Sequence, residues 1–87
     1  MKYIVGEMGN TELLTALIFH EGIEHSAVAP AFNPGSITSA GFVNTYRDPV
    51  KGLLIDVYGR SISLNCESNP ERDVKIIKRF LTNLGIG

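Results

Sequence analysis

The stretch from Leu53 to Leu84 constrains the fold more than any other part of the chain. Leu53, Ile55 and Val57 alternate with Leu54, Asp56 and Tyr58, a period of two in residue types that favour strands. Gly59-Arg60-Ser61 interrupts the pattern, and Ile62 and Leu64 resume it. Ser68-Asn69-Pro70-Glu71 then opens a helix in one of two ways. Asn69 caps with Pro70 at the first helical position, or Ser68 caps with Glu71 closing a capping box. Val74, Ile77, Leu81 and Leu84 make an apolar stripe that Ile76 and Phe80 widen, and Gly85 stops the helix. Glu71 and Asp73 sit at its positive end, while Lys75, Lys78 and Arg79 lie nearer the negative end and form a solvated face.

The register changes at the interruption. The inward residues before it are odd-numbered (Leu53, Ile55, Val57), and those after it are even-numbered (Ile62, Leu64). Successive side chains alternate faces, so an extra residue has to be absorbed between them. Gly59-Arg60 is the natural place for a bulge or a tight bend, which aims Arg60 or Ser61 away from the regular ladder.

Upstream, Lys2 to Met8 reads as a first strand with Gly9-Asn10 as a turn. Thr11 to Phe19 supports two readings. As a helix, Asn10 caps it and Leu13, Leu14, Leu17 and Ile18 share one face. As a strand it is apolar on both faces, as a central strand is. The short Gly-Asn link after a strand favours the hairpin. His20 to Phe32 is a turn and then a short helix near Glu24 to Ala29, limited by Pro30. Asn33-Pro34-Gly35-Ser36 is a loop, Ile37 to Tyr46 a strand, and Asp48 to Gly52 the hairpin loop leading to Leu53. The expected fold is α+β: a single ββαββα domain over residues 1–87, an antiparallel sheet with one long C-terminal helix on one face.

A chain of 87 residues buries roughly 60–65% of its unfolded surface. Only 20% of the residues are charged against 44% hydrophobic, and soluble domains average about 25% charged. Apolar surface is therefore left in search of cover, and a homo-oligomer is expected. A net charge of −1 supplies no basic field for general nucleic-acid binding. Cys66 is the single cysteine, which fits a reducing cytosol. The longest apolar run, near Leu13 to Phe19, is too short to span a bilayer, and no leader pattern opens the sequence. The expectation is a cytoplasmic protein with no membrane partner.

Several stretches carry polar residues suited to chemistry. His20-Glu21-Gly22-Ile23-Glu24-His25 is one residue too long for the HExxH zinc motif, and residues five apart sit about 140° apart on a helix. His20 and His25 converge on a metal or act as acid and base only if one ends a strand and the other starts a helix; otherwise they are polar turn residues. Gly59-Arg60-Ser61-Ile62-Ser63 echoes a nucleophile elbow without its final glycine, in a chain too short for that hydrolase fold. Cys66 precedes a helix N-terminus, yet a lone half-buried cysteine commonly serves packing. The stronger candidate is the polar cluster Arg60, Ser61, Ser63, Asn65, Ser68 and Asn69. There a guanidinium and a helix N-terminus suit phosphate or carboxylate, although Ser68 and Asn69 also serve simply as caps. Ser39 and Gly41 leave one strand face nearly bare, open to a ligand, a second copy or close packing. No phosphate-cradling glycine loop occurs, and no cofactor is expected.

Ile37-Thr38-Ser39-Ala40-Gly41-Phe42, Gly59-Arg60-Ser61-Ile62-Ser63-Leu64 and Ser68-Asn69-Pro70-Glu71-Arg72-Asp73 together resemble small uncharacterised proteins of bacteriophages and prophages. The resemblance covers about the last half of the chain and carries over no functional residue. It implies a host-takeover or anti-defence role, in which compact oligomers inhibit a host protein or sequester a signalling nucleotide. The leading expectation is a non-enzymatic oligomer holding a small anionic ligand, such as a nucleotide, near a subunit interface. A module that docks a host protein comes next. A small metal-dependent or hydrolytic enzyme using His20, His25 and the adjacent glutamates comes third.

Overall fold

Tyr3, Ile4 and Val5 are consecutive, apolar and completely buried, which marks β1 (Lys2–Gly6) as a strand covered on both faces. The computed structural model describes residues 1–85. β2 (Thr15–Phe19), β3 (Ser39–Asp48) and β4 (Gly52–Tyr58) join β1 in a four-stranded antiparallel sheet of order β2-β1-β3-β4. Ile4 lies opposite Leu17 on one side and Ala40 on the other, and Val43 pairs with Val57. A short helix, α1 (His25–Val28), lies between β2 and β3. A separate two-stranded ladder, β5 (Arg60–Ser61) with β6 (Cys66–Glu67), precedes the long helix α2 (Pro70–Asn83).

The two faces of the sheet are covered differently. Tyr3, Val5, Ala16, Val43 and Val57 pack against Ile76, Ile77 and Leu81 of α2. Ile77 is completely buried, and burying such a side chain contributes roughly 1.5–3 kcal/mol. On the opposite face Ile4 and Ala40 pack with Phe32, and Leu17, Val28, Ile37 and Leu64 close around them. The fold is thus α+β with the C-terminal helix on one face, as the periodicity predicts. It differs from a bare ββαββα pattern by the β5–β6 ladder and by a 3₁₀ turn, Ala29–Ala31, that carries the chain on from α1. Pro30 falls in the first turn of that segment, where its missing donor costs nothing.

Two expectations need correction. The segment Thr11 to Phe19 is a strand only from Thr15, and it forms an edge of the sheet rather than its centre. The connection is no two-residue link but runs from Glu7 to Leu14. Its cause lies far along the chain: Glu7 N–H donates to Ser36 Oγ at 3.0 Å, and Glu7 C=O accepts from Asn33 N at 2.8 Å. The backbone of Glu7 is thereby bonded to the loop at Asn33–Ser36 and leaves the β1–β2 ladder. The second correction concerns Ile62, which is 87% exposed rather than inward. Gly59 turns the chain at φ +75°, so the next segment pairs with itself instead of resuming the sheet. Leu64 does pack inward, but on the face away from α2.

The β3–β4 hairpin has the expected loop. Asp48 Oδ1 accepts from Val50 N at 2.8 Å and Lys51 N at 2.9 Å, and Gly52 takes φ +82°. No helix among the described residues is long and apolar enough to cross a membrane.

Candidate functional site

The bend at Gly59 builds the site. A side chain at this position would place its Cβ 2.9 Å from Cδ2 of Phe42, so the bare backbone lies directly on that ring. Ser68 N donates to Gly59 O at 3.2 Å and ties the bend to the start of α2. The chain then runs out through Arg60 and Ser61 and reverses at 62–65, where Asn65 N donates to Ile62 O at 3.1 Å. Asn65 takes φ +49°, a conformation that asparagine tolerates better than most residues. Its Oδ1 accepts from Arg60 Nη2 at 2.9 Å and so positions the guanidinium over the turn.

Arg60 borders a cleft of about 390 Å³ between this turn and the start of β1. Lys2 supplies a second cation there, and Glu24 one carboxylate. His25, Phe42, Gly59, Ile62 and Ser63 complete the walls. Lys2 Nζ donates to Ile23 O at 2.9 Å; one bond of this kind leaves an ammonium or a guanidinium with further N–H donors. Phe42 stacks on Tyr58 with ring centres 5.7 Å apart, and the His25 ring meets it edge-on at 6.0 Å. The cleft is therefore an apolar hollow with two cations and one carboxylate at its margin.

The predicted cluster is divided by the fold. Arg60 and Ser63 line the cleft. Ser61 is buried, and its Oγ accepts from Leu64 N at 3.2 Å and lies 3.5 Å from Ser63 Oγ. Ser68 is half-buried with its Cβ against Gly41. Asn69 caps α2, accepting from Arg72 N at 3.4 Å with Pro70 in the first turn. The carboxylate that reaches back to Asn69 N is Asp73, at 3.0 Å, and not Glu71. Asn69 borders a different, shallow groove with Glu71, Arg72 and Lys75, so the helix N-terminus does not join Arg60.

The small residues of β3 are covered by the protein's own chain. Ser39 is completely buried, and its Oγ accepts from Arg72 Nη2 at 2.9 Å. A Cβ on Gly41 would come within 2.7 Å of Tyr58 O and 3.1 Å of Ser68 Cβ.

The histidines face different partners. His20 is exposed, and its Nδ1 accepts from Gly22 N at 2.9 Å. His25 is buried and donates from Nε2 to Gly41 O at 3.0 Å, which fixes the proton on that nitrogen in the neutral ring. Among the described residues no group of three or more His, Cys, Asp or Glu side chains could hold a metal ion. Burial pushes the Cys66 thiol up, with the nearby Asp73 carboxylate adding to the effect, so the thiolate is disfavoured.

Lys2 and Asp73 are the residues that sequence reasoning misses. Nothing in a local pattern shows that Lys2 and Arg60 border one cleft, because they lie far apart in the sequence. Asp73 reads as a charge at the positive end of the helix, yet it is completely buried. A signal exists: Asp73 precedes Ile76 and Ile77 by three and four residues and so shares their face of the helix. No family model, no curated protein and no solved structure matches the chain.

Proposed function

We propose that the chain is a non-enzymatic binding protein that holds a small anion in the cleft between Lys2 and Arg60, and that this anion is the phosphate of a nucleotide. The observation that carries the reading is the convergence of two cations on one apolar cleft of about 390 Å³. That size lies within the roughly 300–1,000 Å³ of small-molecule sites. Two cations against one carboxylate favour an anion, and a guanidinium offers a fork that matches phosphate oxygens. Phe42 and Ile62 suit the uncharged part of a nucleotide. Binding rather than catalysis is favoured because His25 Nε2 is engaged by Gly41 O and the hydroxyl beside Ser63 is that of Ser61, not a base.

The resemblance to small phage proteins supports a role in which the nucleotide is a host signal held out of circulation. Native mass spectrometry of freshly purified protein tests the proposal. The expected result is a retained mass that matches a nucleotide and is released by high salt, since charge-assisted contacts at a partly open site are screened. A protein that carries no small molecule, and whose NMR signals at Lys2, Phe42 and Arg60 are unmoved by a nucleotide panel, would overturn it. A retained host polypeptide in place of a small molecule would favour the docking module instead.

A further inference from the structure

The strand β4 is an edge, since its only sheet neighbour among the described residues is β3. Edge strands are normally blunted by lysine, proline, a bulge or a covering element. From Leu53 to Tyr58 this one has no lysine and no proline, Asp56 is its one charge, and its ladder with β3 runs residue for residue from Gly52↔Asp48 to Tyr58↔Phe42. Its side chains on the α2 face are Leu53, Ile55 and Val57; α2 leaves the first two only half-buried, although both pack against the core. Apolar surface thus continues past the edge of the protomer, beside a strand edge with no sheet partner among the described residues.

We infer that β4 pairs antiparallel with β4 of a second copy, about a twofold axis through Ile55, making one eight-stranded sheet. The inference is independent of the anion cleft. Residues opposite one another in an antiparallel pair point to the same face, so a twofold axis normal to the sheet must set one residue against itself. With Asp56 on the axis, two like charges would face each other. With Ile55 on the axis, all seven residues of the strand find a partner. Leu53 then faces Val57 of the second copy on the helix side, twice over, and the two Ile55 side chains meet between them. On the other side Leu54 faces Asp56, and Gly52, lacking a side chain, faces the exposed Tyr58 ring. The helix-side contact is a continuous apolar stripe of Leu53, Ile55 and Val57 from each copy, with no like charges opposed.

The opposite edge, β2, is shorter, with five residues to the seven of β4. Arg79 Nη2 already donates to Leu14 O at 2.6 Å beside its start. A β2–β4 contact would also be head-to-tail and would build a ring or an open filament rather than a twofold pair.

Light scattering at high micromolar concentration is expected to give twice the 9.5 kDa chain mass. Ile55→Lys and Ile55→Glu are each expected to be monomeric, because each sets like charges against one another, and an equimolar mixture is expected to recover the dimer. Cysteine scanning in a Cys66→Ser background covers the case in which a charge at Ile55 unfolds the chain. Ile55→Cys should oxidise to a covalent dimer, since directly opposed Cβ atoms lie about 4.5–5.5 Å apart. Asp56→Cys should not, since its own counterpart is displaced by two residues along the strand and exceeds the roughly 7 Å disulfide limit. A wild-type monomer, a filament, or a dimer in which Asp56→Cys cross-links as readily as Ile55→Cys would overturn the inference.

Discussion

Tyr3 Oη donates to Asp73 Oδ2 at 2.5 Å, joining the second residue of the central strand to the first turn of the C-terminal helix. Both side chains are completely buried. The same carboxylate oxygen accepts from Asn69 N at 3.0 Å, while Oδ1 pairs with Arg72 Nε at 3.2 Å. Arg72 in turn donates to Ser39 Oγ on β3 and to Thr38 Oγ1 just before it. One buried carboxylate therefore caps the helix and fixes it to two strands, and among the described residues no buried side-chain polar atom lacks a partner.

Tyr3→Phe removes a donor from that buried carboxylate and is expected to destabilise the fold by about 1–3 kcal/mol in chemical denaturation. The pH dependence has a definite sign. Burial, then the hydrogen bond to Asp73 and its charge, hold the Tyr3 phenol far above its ordinary value. The unfolded phenol ionises near pH 10 while the folded one stays neutral, so this contribution is present below about pH 10 and is lost as pH rises further. The variant should show a shallower loss of stability with alkali than the wild type. Equal slopes would show that Tyr3 is not the group responsible.

Gly41→Ala tests how closely β3 is crossed by the chain at Tyr58–Gly59. The added methyl would meet Tyr58 O at 2.7 Å, and a backbone carbonyl in a sheet cannot turn aside as a flexible side chain can. A loss of about 1–3 kcal/mol is expected, the usual cost of overpacking. An unchanged melting temperature would mean that the β4 exit gives way easily.

Much of this architecture is legible in the sequence because it depends on local periodicity. The α2 stripe as far as Leu81, the Asn69–Pro70 start as one of its two readings, and the β3–β4 hairpin at Asp48–Gly52 come from spacing and turn chemistry, whereas Leu84 is exposed at the end of the helix. A break at Gly59 is legible from the glycine that interrupts the pattern, but the change of parity across it is not a true signal, because Ile62 is exposed and the buried neighbour is Ser61. The features that escape local reading are non-local. The backbone of Glu7 leaves its ladder because of a loop near residue 33, and no pattern within Thr11–Phe19 records that. Ser39 and Gly41 look open because their covering residues, Arg72, Tyr58 and Ser68, are distant in sequence. The candidate site is half legible for the same reason: Arg60 and Ser63 belong to one turn, but Lys2 arrives from the other end of the chain.

Asp48 gives a prediction at acid pH. The Lys51 and Val50 N–H groups hold its carboxyl below the usual carboxylate value. A lowered folded value means that the stabilisation is present above about pH 3.9 and is lost as pH falls through the folded value. An NMR titration should show Asp48 ionising below an unstructured aspartate, with the Val50 and Lys51 amide signals moving together with it. A titration at the ordinary value would remove the carboxylate from the turn.

Calorimetry against a nucleotide panel, with Arg60→Ala and Glu24→Gln beside the wild type, tests the central claim most directly. A charge-assisted hydrogen bond contributes about 1.5–3 kcal/mol, so Arg60→Ala should weaken nucleotide binding by roughly ten- to a hundred-fold. Glu24→Gln should instead tighten it, because it removes the carboxylate at the margin of the cleft. Arg60 is exposed, so thermal melts should place its variant within about 0.5 kcal/mol of the wild type. Opposite shifts in affinity at unchanged stability are the predicted result; a wild type that binds no nucleotide, or an Arg60→Ala variant that binds as well as it does, would contradict the account.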